Sequence, residues 1–185
     1  MPRIVLVSLL HQLSPRFPHY ANSRLIKQLD IHGGRLWLPP LGSADVRALR
    51  QGAGARTVNE LPDLKGGWSS VTPVAKSRDE GVVALAQYDE ELLGNLDIYW
   101  QSPEKINRPI TDNLFELRRE LVDEAMPMLK KGWQLGLEAR LKGILNAARG
   151  GEDQLVFAEV ECAYWLRSRL CEEAGIELVW PEIAG

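Results

Sequence analysis

The sequence predicts an α+β fold: a single domain with a small mixed sheet, strands near both termini and a C-terminal helical hairpin. Three observations lead there. Residues Arg3–Leu10 (RIVLVSLL) are β-branched and almost continuously apolar, as in a strand covered on both faces. Residues 112–174 hold a single proline and carry apolar side chains at helical spacing. Beyond Gly175, the run Ile176–Trp180 has the apolar, β-branched character of a strand entered from a helix.

Taken in order, Arg3–Leu10 is a central strand, and His11–Tyr20, with Pro15 and Pro18, is a loop. Asn22 and Ser23 offer an N-cap for a helix over Arg24–Asp30, whose inward stripe is Leu25, Ile26 and Leu29. Gly33 and Gly34 turn the chain into a short strand, Arg35–Leu38, stopped by Pro39 and Pro40. Ser43 caps a second helix, Ala44–Gln51, which Gly52 and Gly54 end. Thr57–Ser77 is rich in Gly, Pro and Ser, so only short extended pieces are expected there, few buried contacts, and early proteolytic cutting. Gly81–Tyr88 and Leu96–Trp100 read as two strands of a β-hairpin. Asp112 then caps a helix with Leu114, Leu117, Leu121 and Ala125 on one face. Pro127 breaks or kinks it, because proline removes a hydrogen bond and clashes with the preceding turn. The pattern resumes through Leu129, Trp133, Leu137, Leu141 and Leu145 to Gly150, and Glu152–Ala174 reads as the second arm of the hairpin. The chain thus divides into a basic β/α part (1–58), a loop-rich part with a β-hairpin (59–110), a helical part (111–175) and a final strand and tail (176–185). Five of the six tryptophans recur at nearly even spacing, but their flanking residues share nothing beyond one Gly-Trp pair, so no repeat is inferred.

Composition limits the function classes. The 185 residues are 45% hydrophobic and 25% charged, with a formal net charge of -3, which is ordinary globular composition. Cys162 and Cys171 are nine residues apart in a helical pattern, on opposite faces, so no disulfide framework is expected. Ile4–Leu10 is too short and too poorly flanked for a secretion signal, and no apolar run approaches the ~20 residues of a membrane span. A cytoplasmic protein without membrane contact is expected. No dinucleotide fingerprint, phosphate-binding glycine loop, nucleophile elbow or zinc-ligand spacing is present, so neither cofactor nor metal is expected.

Charge placement is the clearest signal. Residues 1–58 carry eight Lys and Arg against two acidic residues, and the remainder carries 14 against 23. In the basic part Arg16, His19, Tyr20, Arg24 and Lys27 surround a helix start, where unpaired N–H groups and the helix dipole favour anions. Phe17 and Tyr20 add rings on which bases can stack, the combination that a single-stranded nucleic acid groove uses. The leading expectation is therefore a non-catalytic accessory subunit of a nucleic-acid-associated assembly. The alternative is a protein–protein interaction module whose opposed charge fields pair with each other or with a second copy. A third reading is a metal-independent nuclease or phosphoesterase using His11 and His19 as acid and base.

Three weaker features complete the set. Asp89, Glu90, Glu91 and Asp97 could converge across the hairpin as magnesium ligands, but the preferred reading is a solvated acidic turn. Glu159 and Glu161, about 200° apart on a helix, are not expected to share a site. Gly132, Gly136 and Gly143 keep to one helix face, which calls for close approach of another helix, within the chain or from a partner.

Overall fold

Strands and helices alternate along most of the chain, and every strand pairing among the described residues is parallel. The computed structural model describes residues 1–10, 13, 17, 22–40, 44–71 and 77–181, with only the backbone of 22–24. Five strands, β1 (Arg3–Leu9), β2 (Arg35–Leu38), β3 (Val58–Glu60), β4 (Gln154–Glu159) and β5 (Glu177–Val179), form one sheet in the order β3-β2-β4-β1-β5. The mixture of helix and strand, with strands near both termini, is as the sequence predicts. The sheet differs in being parallel, and for a physical reason: each connection between sequential strands contains at least one helix, and a crossover of that kind returns the chain in the same direction.

Strand alternation sends side chains to two cores. On one face Val5, Val7, Leu9, Leu155 and Phe157 pack against α1 (Asn22–Ile31), α2 (Ala44–Gly52) and α3 (Glu80–Tyr99) through Leu25, Leu29, Val46, Leu49, Leu92 and Leu96. On the other Ile4, Leu6, Trp37, Val156 and Ala158 meet α6 (Lys130–Ala148) and α7 (Val160–Glu172) through Trp133, Leu137, Ile144, Cys162 and Leu166. The short α4 (Pro103–Ile106) and the long α5 (Pro109–Ala125) fill the connection between α3 and α6, and α5 packs on α3 and α7. Burial on both faces explains why β1 and β4 are continuous apolar runs.

Gly34, at φ 87°, makes the turn into β2, and a Cβ there would lie 2.1 Å from the Asp153 carbonyl oxygen. The close approach lets the Arg35 N–H reach that same oxygen at 2.9 Å and bring β2 beside β4.

Four expectations are corrected. The β-hairpin over 81–100 is instead the single helix α3: Asp79 caps it by accepting the Val82 N–H, and Leu85, Asp89, Leu92 and Leu96 recur at helical spacing on its buried side. The helix over 152–174 is instead β4 followed by α7, so a strand separates the two arms of the expected helical hairpin. The stretch after β3 is not poor in buried contacts, as described below. Phe17 is buried in the first core with its ring 5.7 Å from that of Trp100, so it presents no face to a ligand. Pro127 does interrupt the helical pattern: a 3-10 turn, Pro127–Leu129, separates α5 from α6.

Candidate functional site at the carboxyl edge of the sheet

In an open α/β sheet, a crevice forms where adjacent strands send their following connections to opposite faces. Strands β1 and β4 are such a pair. They run side by side up to Leu9 opposite Glu159; the chain leaving β1 goes to α1 on one face, and that leaving β4 enters α7 on the other. The carboxyl edge between them is the candidate site.

A charged cluster crowds the end of β4. Arg140 of α6 is fully buried and forms a two-pronged ion pair with Glu159, one contact being Nη2 to Oε1 at 3.1 Å, while its Nε donates to the Pro62 carbonyl at 2.7 Å. Burial opposes the Arg140 charge, but the Glu159 carboxylate and the hydrogen bonds to Glu159 and the Cys162 sulfur outweigh it and raise the arginine pKa. Arg118 of α5 grips Asp89 of α3 at 2.7 and 3.1 Å, and its guanidinium lies 3.8 Å from the centre of the Trp68 ring. Arg119 donates to the Gly66 carbonyl at 3.0 Å, pairs with Asp123 and covers the Trp133 ring.

Glu161, in the first turn of α7, completes the cluster. Its Oε2 accepts the Trp68 N–H at 2.7 Å, and its Oε1 is buried without a hydrogen-bond partner. Burial pushes its pKa up to about 7; Arg118, the Trp68 N–H and Arg140 oppose the rise, and Glu159 reinforces it. Burial likewise drives the Cys162 thiol far above its usual range, which leaves it a poor nucleophile.

Residues 61–71, irregular apart from a 3-10 turn at Trp68–Ser70, are thereby strapped across three helices. The glycines of α6 admit the strap. A Cβ at Gly136 would come within 3.0 Å of Leu64 and 3.3 Å of the Asp63 carbonyl oxygen, one at Gly132 would make ordinary contact with Lys65, and one at Gly143 would press on the Trp37 ring at 3.2 Å. The small-residue face thus meets a loop and a strand side chain, where the sequence pattern calls for another helix.

A second polar group sits at the ends of β1 and β5. Asn107 Oδ1 accepts from the Ser8 N–H at 2.8 Å and from Arg167 at 2.9 Å, and Arg167 also reaches Ser8 Oγ, Asp112 and the face of Trp180. Burial raises the Asp112 pKa despite Arg167. A cavity of about 110 Å³ opens beside it, lined by Glu104, Asn107, Arg108, Trp180 and Pro181.

Of the residues singled out in the sequence, His11, Arg16, His19 and Tyr20 lie outside the described residues, as does the Arg24 side chain. Lys27 is exposed on α1. His32 is buried near the opposite, amino edge of the sheet, beside Arg3 and Gln154. Asp89 and Asp97 are strung along α3, Asp89 is engaged by Arg118, and among the described residues no group of three His, Cys, Asp or Glu could hold a metal. Glu159 and Glu161 do share a site, because Glu159 ends a strand and the 200° spacing of a helix does not apply. The signal for β4 was present in the apolar run Leu155–Ala158, so similar to that of β1. Three basic residues of the first part are engaged within the chain: Arg35 with Glu152 at 3.0 Å, Arg50 with Glu60 at 3.2 Å, and Arg56 with the carbonyls of Leu29 and His32. Among the described residues no helix is long and apolar enough to cross a membrane. Comparison with protein-family models, with curated proteins and with solved structures finds no match to this chain.

Proposed function

We propose that the protein is a non-catalytic accessory subunit that binds a phosphate-bearing ligand, with single-stranded nucleic acid as the class, at the carboxyl edge where β1 and β4 diverge. One observation carries the reading: the connection from the carboxyl end of β1 to the N-terminus of the ten-residue helix α1 leaves this switch point, and its sequence holds Arg16, His19 and Tyr20. Arg24 and the exposed Lys27 follow in the first two turns of α1. Phosphate neutralisation by these cations is sequence-tolerant, and Tyr20 supplies the stacking ring that the buried Phe17 does not.

Anisotropy titrations with short RNA and DNA at about 50 and about 200 mM salt test the reading. Arg16→Ala, Arg24→Ala and Lys27→Ala are each expected to weaken binding and to lower the salt slope by about one ion. Failure to bind any oligonucleotide at the lower salt would overturn it.

A further inference from the structure

We propose that the strap after β3 is a pH-gated cover over the carboxyl end of β4, closed while Glu161 is protonated and released beyond Gly66 when Glu161 ionises. The strap is held differently on the two sides of Gly66: the main chain is pinned by an arginine before it and by a titratable carboxyl after it. Before Gly66 it is held by Arg140 on the Pro62 carbonyl and by the fit of Leu64 against Gly136. Gly66, at φ 81° and with its carbonyl held by Arg119, is the hinge. Beyond it, the polar hold on the main chain comes from Glu161, which accepts the Trp68 N–H, while the side-chain hold is the Trp68 ring, packed on the first core and under Arg118, with Val71 in a small cluster with Leu85 and Val122.

The charged and titratable groups that face the Glu161 carboxyl are Arg118 of α5, with Asp89 of α3 tied to it, Arg140 of α6, Glu159 of β4 and Cys162 of its own helix. Both nearby arginines are committed to other carboxylates, and Oε1 faces the Gly67 backbone so closely that a Cβ there would lie 2.7 Å away. Protonated, the carboxyl is neutral and keeps the Trp68 N–H on Oε2, and a buried O–H at Oε1 costs less than a buried charge. Ionised, it is a buried charge with one oxygen unserved, and opening the strap is the motion that brings water to that oxygen.

The sign follows from linkage. A carboxyl held up to about 7 when covered, against its ordinary 4.5 when exposed, binds its proton more tightly in the closed form. Opening is therefore least favourable below 4.5, rises about tenfold per pH unit as pH climbs to 7, and levels off above, a total change of roughly 300-fold. Release would also free Arg118 from Trp68 and uncover the edge between β4 and β1.

Hydrogen exchange of the full chain from about pH 5 to about pH 8, corrected for intrinsic rates, reads this opening at residues 67–71 with β4 as internal reference. Exchange at 67–71 is expected to rise with pH and then flatten while β4 stays protected, and Glu161→Gln is expected to hold the strap closed at every pH. Gly67→Ala, which crowds Oε1, is expected to open it at every pH. Equal pH dependence in wild type and Glu161→Gln, a wild-type profile without pH dependence, or a Gly67→Ala profile identical to wild type would each overturn the proposal.

Discussion

The arginines of the first 58 residues and those of the helical part sit in opposite surroundings. Arg35 and Arg50, in the net-basic part, meet Glu152 and Glu60 with a third or more of each side chain in solvent. Arg118, Arg140 and Arg167, in the net-acidic part, are at most 6% exposed and hold Asp89, Glu159 and Asp112. Net charge along a sequence therefore does not locate the electrostatics that hold this fold together. Exposed pairs contribute about 0–1 kcal/mol, whereas breaking a buried one strands a charge away from water. The surface cations of the basic part can exchange partners at little cost, which a ligand requires; the buried ones cannot.

The largest effect is expected at Arg140. Arg140→Ala leaves Glu159 buried beside Glu161 and also releases the Pro62 carbonyl, so urea unfolding should show a loss of about 3–5 kcal/mol. A loss below 1 kcal/mol would erase the contrast between the two sets of arginines, since it would mean that water reaches Glu159.

Sequence reading recovers the elements whose signals are local. Strands β1 and β2, helices α1 and α2 and the break at Pro127 follow from apolar runs, helical spacing and proline. Helix α3 was obscured by Val82, Val83 and Gly94, which imitate strand and turn, although its Asp79 cap and its leucine spacing were on view. The candidate site was not legible for a different reason. Glu161 meets Trp68 across 93 positions, Arg118 meets Asp89 across 29 and Arg167 meets Asp112 across 55, and no local pattern encodes contacts of that range. Reading β4 as helix also separated Glu159 from Glu161, the two carboxylates that the strand-to-helix junction brings together.

A middle-sized effect sharpens the contrast by testing how Arg140 reaches the strap. Gly136 and Gly132 lie on one face of α6, and replacing either by alanine favours the helix by about 1 kcal/mol. At Gly132 the new Cβ meets Lys65 at an ordinary 3.5 Å, so Gly132→Ala should be neutral or stabilising. At Gly136 it meets the Asp63 carbonyl at 3.3 Å and Leu64 at 3.0 Å, and lifting the strap there weakens the Arg140 bond to Pro62. Overpacking costs of about 1–3 kcal/mol then exceed the propensity gain, so Gly136→Ala should lower the thermal midpoint while Gly132→Ala holds or raises it. Equal midpoints would mean that α6 does not depend on this close approach.

The smallest effect is expected where the basic part meets the acidic one. Arg35 and Glu152 pair at 3.0 Å, but with side chains 33% and 44% exposed the attraction is screened by water and salt, and holding two long side chains together costs entropy. Arg35→Ala should therefore change stability by less than about 1 kcal/mol, and the change should shrink further as salt is added. Urea unfolding at low and high salt, run beside Arg140→Ala, gives the comparison directly. The Arg140 loss should be nearly independent of salt because ions do not enter its pocket, and a salt-sensitive Arg140 or a costly Arg35 would invert the assignment of structural and exchangeable cations.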